Sequence, residues 1–177
     1  MSASPIWLVS GVPGAGKSSV AIALCQRYPK ALHLPVDDLR ELVCSGRASP
    51  LDWSDETTLQ FALARRSAAG MAADYADAGF AAVIDDVVRE DDMAHFLPQL
   101  GGRPLRKVLL LPSLAAVQER NRERTNKAFD TAVLGPVAAR LYPTLVAGCQ
   151  PEDGWIVIDS TDLTLEATVD RMLAADV

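Results

Sequence analysis

Short apolar runs alternate along the chain with longer amphipathic stretches, the pattern of an α/β fold in which helices flank a parallel sheet. Five runs read as strands: Ile6 to Ser10, Ala31 to Val36, Ala82 to Asp85, Lys107 to Leu111 and Trp155 to Ile158. Each is almost unbroken in its apolar character, as strands covered on both faces should be. Pro35 has no N–H to give to a ladder, so it marks the second run as an edge strand or as the end of one.

The intervening stretches carry helix signals. Lys17 to Tyr28 reads as one helix. Ser54 to Ala78 reads as a long one that begins at a capping Ser or Asp and stops at Gly79. A third helix runs from Ser113, placed at its N-cap, to about Arg124. After Asp162, the residues Leu165, Val169, Met172 and Leu173 repeat with a 3.6-residue period and predict a final helix that seals the sheet. The polar, basic segment Arg124 to Asp130, between two helical segments, is the candidate for a mobile lid, here bounded at about 120–130. No internal repeat breaks the pattern, and 177 residues suit one domain spanning 1–177.

Composition narrows the class. Seventeen Lys and Arg against twenty-three Asp and Glu give a formal charge of -6, the wrong sign for a broad surface that coats phosphates. Cys25, Cys44 and Cys149 are odd in number and form no C-x-x-C pair, which argues for reduced thiols over a disulfide framework or a zinc knuckle. The N-terminal residues lack a basic n-region, and no segment approaches the roughly 20 apolar residues needed to span a bilayer. The expected setting is cytoplasmic, without a membrane partner.

The first strand leads into Gly11-Val12-Pro13-Gly14-Ala15-Gly16-Lys17-Ser18-Ser19, which satisfies G-x-x-x-x-G-K-[ST] between a strand and a helix, as a P-loop requires. Its glycines let backbone N–H groups turn inward around phosphate oxygens, and the helix N-terminus adds partial positive charge. Lys17 is expected to reach the β- and γ-phosphates of ATP, and the Ser18 hydroxyl to hold Mg²⁺. Two common P-loop classes do not fit. A GTPase wants N-K-x-D where the nearest segment reads Asn126-Lys127-Ala128-Phe129, and D-x-x-G where the third strand ends in Asp86-Val87-Val88-Arg89. A transporter-type ATPase needs a further signature helix and more length. A small kinase remains.

Val36-Asp37-Asp38-Leu39-Arg40 follows the second strand directly, and ligands of open α/β sheets bind at the carboxyl ends of the strands. A carboxylate there is placed to take the proton of an attacking hydroxyl; equally, Asp37 or Asp38 suits the N-cap of a short helix. At this point the chain resembles the P-loop kinases that include bacteriophage polynucleotide kinase, chloramphenicol phosphotransferase and the zeta-toxin sugar-nucleotide kinases. Asp37-Asp38-Leu39-Arg40 resembles the D-D-x-x-R or D-D-aromatic-R start of the polynucleotide kinase branch, with its arginine at the fourth place. The resemblance implies that Asp37 is the catalytic base, that Arg40 contacts the acceptor, and that the sheet order is 2-3-1-4-5.

Ile84-Asp85-Asp86-Val87 has the apolar-run-then-acid form of a Walker B element and resembles the V-D-D-V segment of the chloramphenicol phosphotransferase group. Asp85 is then a metal residue, with Asp86 and Arg89 on the substrate side; the alternative is a capping acid at the strand end. Glu90-Asp91-Asp92 reads as a solvated helix start. The run Arg120-Asn121-Arg122-Glu123-Arg124-Thr125-Asn126-Lys127-Ala128 resembles the R-N-x-x-R-x-x-K-A lid of polynucleotide kinase. Arg120 and Arg124 are four apart and share a helical face, so both are expected to close on the triphosphate.

His33 and His95 have no metal-ligand spacing around them and read as packing or surface residues. Trp7, Trp155 and Phe80 read as core. Trp53, Phe61 and Tyr75 lie between the second and third strands, where the resembled kinases hold their acceptor. The reading is a kinase of a small hydroxylated molecule using ATP and Mg²⁺. A kinase of nucleic-acid 5′-hydroxyl ends is the alternative, favoured by the resemblance and opposed by the charge. A nucleotide-binding switch without an acceptor is the third, and it would need no base at Asp37.

Overall fold

The computed structural model describes residues 4–122 and 134–175. Five parallel strands form one sheet: β1 (Ile6–Ser10), β2 (Ala31–Pro35), β3 (Ala81–Asp85), β4 (Leu105–Leu110) and β5 (Trp155–Ile158), in the order β2-β3-β1-β4-β5. This is the P-loop NTPase arrangement, with the predicted strand order. β1 and β3, both interior, are buried at every position. β2 lies on an edge, and Pro35 is at once its last residue and the N-cap of the helix that follows, so both readings of that proline hold.

The helices are α1 (Lys17–Cys25), α2 (Val36–Glu41), α3 (Asp55–Asp77), α4 (Leu97–Leu100), α5 (Leu114–Arg122), α6 (Leu134–Gly148) and α7 (Leu165–Ala174). α1 ends three residues earlier than its apolar pattern suggests. Pro29 disfavours helical geometry at Tyr28, and Tyr28 leaves the helix to accept a hydrogen bond from Trp7 Nε1 at 3.0 Å. α3 starts as expected: Ser54 Oγ accepts from the Thr57 N–H at 3.2 Å, and the Thr57 hydroxyl takes the Ser54 N–H in return. Gly79 follows its end with φ 86. Ser113 caps α5 by accepting from Ala116 N–H at 3.3 Å. On α7, Val169 and Met172 are buried, whereas Leu165 is partly open to solvent. The sequence pattern is least informative for α6, where Gly135, Pro136, Pro143 and Gly148 obscure the period.

α1 packs on β3 and α7, while the long α3 packs on β3, α2 and α4. Trp7 and Trp155 belong to the core as expected. Cys149 is buried, Cys25 half-buried and Cys44 exposed, none of them paired. Among the described residues no helix is long and apolar enough to cross a membrane. The P-loop, the start of α2, the end of β3 and the segment after β5 all lie at the carboxyl ends of the strands, where the topology leaves a crevice.

Candidate active site

The P-loop turns on glycines that no other residue replaces without strain. Gly14 and Gly16 have φ of 93° and 96°, in the left-handed region. Gly16 is the N-cap of α1 with no side-chain capping bond, and a Cβ built on it would meet nothing within 4 Å. The helix N-terminus therefore faces open space, the shape and polarity that a phosphate group fills. Lys17 Nζ donates to the carbonyl of Val12 at 3.3 Å, which folds its charge back over the loop. Ser18 is half-buried and Ser19 exposed at the same helix start.

Gly14 is hemmed in from outside the loop. A Cβ there would lie 2.6 Å from the side-chain oxygen of Asn121, whose Nδ2 donates to the carbonyl of Pro13 at 3.0 Å. Asn121 is 3% exposed, and its own Oδ1 is buried without a partner. The second residue of the lid motif thus grips the phosphate loop, a role its sequence position does not reveal. One turn of helix contributes a second contact: Arg120 donates to the carbonyls of Ala15 (3.4 Å), Ser160 (3.0 Å) and Thr161 (3.4 Å). Arg120, Ala15, Gly16, Ser160, Leu163 and Thr168 line a cleft of about 280 Å³ beside the loop. The Ser160 hydroxyl is buried there without a hydrogen bond. Arg124, Lys127 and Ala128, with most of the expected lid, fall outside the described residues.

Asp37 and Asp38 occupy the first turn of α2, exposed, and neither caps the helix, because the N-cap is Pro35. Arg40, three residues on and on the same face as Asp37, is buried instead of standing open to an acceptor. Its Nη2 donates to the carbonyl of Ala48 at 2.9 Å, and its guanidinium lies 3.9 Å above the Phe61 ring. Burial pulls its pKa below the usual arginine value, and the charges of Asp37 and Asp86 oppose that pull.

The two acids after β3 part company. Asp85 takes His33 Nε2 at 2.6 Å, so the histidine read as packing holds the metal candidate from the neighbouring strand. Asp86 is fully buried and paired with Arg65, whose Nε lies 2.7 Å from Oδ2; it also accepts the Val87 N–H at 2.7 Å. Burial raises the Asp86 pKa even against Arg65. Arg65 also reaches Asp92 at 2.8 Å and the Val87 carbonyl at 3.2 Å, and these anions hold its own pKa up against burial. The Glu90-Asp91-Asp92 run opens a short helix, Glu90–His95, as expected, and Asp91 is exposed, but the expectation that the whole run is solvated is corrected. Asp92 is tied to Arg65 and to the Arg89 N–H, and Glu90 accepts from both Lys107 Nζ and Trp155 Nε1. Arg89 itself is partly exposed, 3.8 Å from Asp92. Of the three aromatics assigned to the acceptor side, Trp53 and Phe61 stack at 5.2 Å, whereas Tyr75 pairs with Phe80 farther along α3.

Residues 6–144, most of the chain, match the model of the AAA domain family. The chain belongs to that family. No curated protein sequence matches it. Three solved structures share the architecture of this AAA domain protein. A sugar kinase from Janibacter sp. HTCC2649 superposes with a TM-score of 0.71 at 17% identity, over 97% of this chain and 93% of that one. The tunicamycin resistance protein of Deinococcus radiodurans gives 0.64 at 20%, over 98% and 95%. A gluconokinase from Sinorhizobium meliloti 1021 gives 0.60 at 19%, over 97% and 90%. At such identities the likeness is one of fold.

The donor set suits nucleotide and metal. The cradle over Gly16 is open and flanked by Lys17, as a triphosphate requires. Among the described residues no three His, Cys, Asp or Glu side chains gather as a metal cage. Mg²⁺ is commonly held by one or two protein ligands and completed by phosphate oxygens and water, a demand that a hydroxyl such as Ser18 and a carboxylate such as Asp85 are able to meet.

Proposed function

We propose that the chain is an ATP-dependent kinase that transfers the γ-phosphoryl group of ATP to a hydroxyl of a small molecule. The observation that carries this reading is the open phosphate cradle of Gly14, Gly16 and Lys17 at the same end of the sheet as an exposed carboxylate, Asp37, that caps no helix. A switch or regulatory ATPase has no use for that carboxylate.

The backbone of the loop and Lys17 hold the β- and γ-phosphates. Asp37 accepts the acceptor's hydroxyl proton as that oxygen bonds to the γ-phosphorus, and the bond from γ-phosphorus to the bridging oxygen breaks to release ADP. Ser18 and Asp85 would hold Mg²⁺, which would supply neutralisation of phosphate charge. Arg120 and Arg124 meet the charge that develops on the transferred group. The cleft between Arg120 and Ser160 takes the adenine ring of ATP. The lid about 120–130 belongs to the same single domain, which acts in the cytoplasm.

The motif likeness to polynucleotide kinase, chloramphenicol phosphotransferase and zeta-toxin-like kinases supports Asp37 as base. The names of the sugar kinase and gluconokinase of like fold support a small acceptor. The Asp37-Asp38-Leu39-Arg40 segment favours the second reading, a kinase of nucleic-acid 5′-hydroxyl ends. The experiment is transfer from γ-labelled ATP to sugars, nucleosides, nucleotide sugars, aminoglycoside and phenicol antibiotics and 5′-hydroxyl oligonucleotides. Labelled small molecules support the first reading. Labelled oligonucleotide ends, with a rate that falls steeply as salt rises, establish the second.

A further inference from the structure

Resting on the kinase reading, we propose that the acceptor is an uncharged hydroxyl compound with a flat apolar or aromatic face, seated against Trp53. Residues 42–54, between α2 and α3, form a wall that is already fastened from beneath. Gln60 accepts the Ala48 N–H at 3.0 Å and donates to the Gly46 carbonyl at 2.8 Å. The Thr57 hydroxyl donates to the Ser49 carbonyl at 3.1 Å, and Arg40 holds Ala48 as described. Gln60, Thr57 and Arg40 are all buried, so the wall needs no ligand to order it.

Trp53 stands on this wall. One face of its indole lies on Phe61, nearly parallel at 10°, and Nε1 donates to the Thr58 hydroxyl at 2.9 Å. The residue nevertheless remains 57% exposed, and Leu42 and Leu51 on the same segment are 72% and 56% exposed. An indole fixed on one face by Phe61 and open on the other is surface that a flat ligand can cover. Phe61 joins Trp53 to the candidate base: Arg40 lies on its ring and shares a helical face with Asp37.

Charge excludes the anionic acceptors. Arg65 spends its guanidinium on Asp86, Asp92 and the Val87 carbonyl. Arg40 is 5% exposed, with its Nη2 on the Ala48 carbonyl, its guanidinium on the Phe61 ring and its Nε buried. Neither offers an open fork to a phosphate or carboxylate. The charges that face water on and beside this wall are Asp37, Asp38, Glu41, Asp52, Asp55 and Glu56 against Arg47, and Arg89, partly exposed after β3, stands 3.8 Å from Asp92. An acceptor carrying its own anion would be repelled where it must approach the base.

The test pairs neutral and anionic acceptors that keep the same primary hydroxyl: nucleosides against their 3′-monophosphates, and 4-carboxamidophenyl glucoside against 4-carboxyphenyl glucoside, each with γ-labelled ATP. The neutral member of a pair is expected to show a kcat/KM at least about tenfold higher. Trp53→Ala is expected to raise the KM of a labelled neutral acceptor roughly three- to tenfold without moving the KM for ATP, and Trp53→Phe to restore most of it. Trp7 and Trp155 are buried, so fluorescence quenching of the exposed indole by that neutral compound, absent in Trp53→Phe, reads binding independently of turnover. Preference for the anionic member, or an acceptor KM indifferent to Trp53→Ala, overturns the proposal. Label on anionic compounds alone leaves the kinase reading standing while this one falls, and label on no compound at all overturns both.

Discussion

Asn121 donates to the carbonyl of Pro13 at 3.0 Å across 108 positions of sequence, and its side chain fills the space where a Cβ of Gly14 would stand. The first turn of the phosphate loop is therefore held by the end of α5, the helix that leads toward the lid. Nucleotide affinity is expected to depend on that grip. Asn121→Ala removes one hydrogen bond at the loop and is expected to weaken ATP binding about three- to tenfold. Asn121→Asp, which sets a negative charge beside the phosphates, is expected to weaken it further. Calorimetric titration with ATP checks both, and wild-type affinity in the two variants would show that the loop holds its shape unaided.

Lys17→Ala is expected to lower transfer by about 10²-fold or more while the thermal unfolding midpoint stays within a few degrees of wild type, because the lysine acts on phosphate charge outside the core. A turnover assay with a melting curve on the same sample separates the two effects.

Asp37→Asn keeps the shape of the side chain and removes its basicity. Transfer is expected to fall on the order of 10²- to 10⁴-fold with ATP binding retained. Loss of ATP affinity without loss of transfer per bound nucleotide would move Asp37 from base to phosphate or metal neighbour.

Arg65→Met strands Asp86 in the interior and is expected to cost about 3–5 kcal/mol of stability. The loss has a pH signature. Asp86 is already raised above its ordinary value of 3.8 by burial, and without Arg65 nothing of comparable strength opposes that rise. A carboxyl whose folded pKa is raised gives its full stability below the unfolded value and loses it as the pH climbs through the folded one. The melting deficit of Arg65→Met is therefore expected to be smaller at pH 5 than at pH 8. Equal deficits at the two pH values would mean that Asp86 does not titrate in this range.

His33→Ala is expected to raise the Mg²⁺ concentration for half-maximal transfer about tenfold, since a residue that orients a metal ligand tunes affinity at that scale. His33→Gln, which keeps a donor near Asp85, should recover part of it. Direct Mg²⁺ titration of the ATP complex, followed by calorimetry, distinguishes this from a general loss of fold.

The strands, the P-loop, the α3 cap at Ser54 and the edge position of β2 were legible because each is written in neighbouring residues: an apolar run, a glycine spacing, a Ser three residues before its Thr partner, a proline at a strand end. What escaped was written far apart. His33 meets Asp85 across 52 positions and Arg65 meets Asp86 across 21, and no local pattern distinguishes either basic residue from a surface one. Arg40 shows the reverse error, since its position after Asp37 resembles an acceptor contact while the Phe61 ring and the Ala48 carbonyl draw it inward. Glu90 and Asp92 look solvated in sequence because their partners, Lys107, Trp155 and Arg65, come from β4, β5 and α3.

The unequal burial of the three thiols makes the chain its own labelling substrate. Burial, with Glu90 and Asp92 nearby, pushes the Cys149 thiol up to about 12, and burial also raises that of Cys25. Thiolate is the species that maleimides capture, so at neutral pH both should react slowly. Cys44 is exposed and stands at the start of the fastened wall, nine residues before Trp53. A single equivalent of a fluorescent maleimide should therefore mark that wall in the unmutated protein, and would follow its movement in real time as ATP and acceptor arrive.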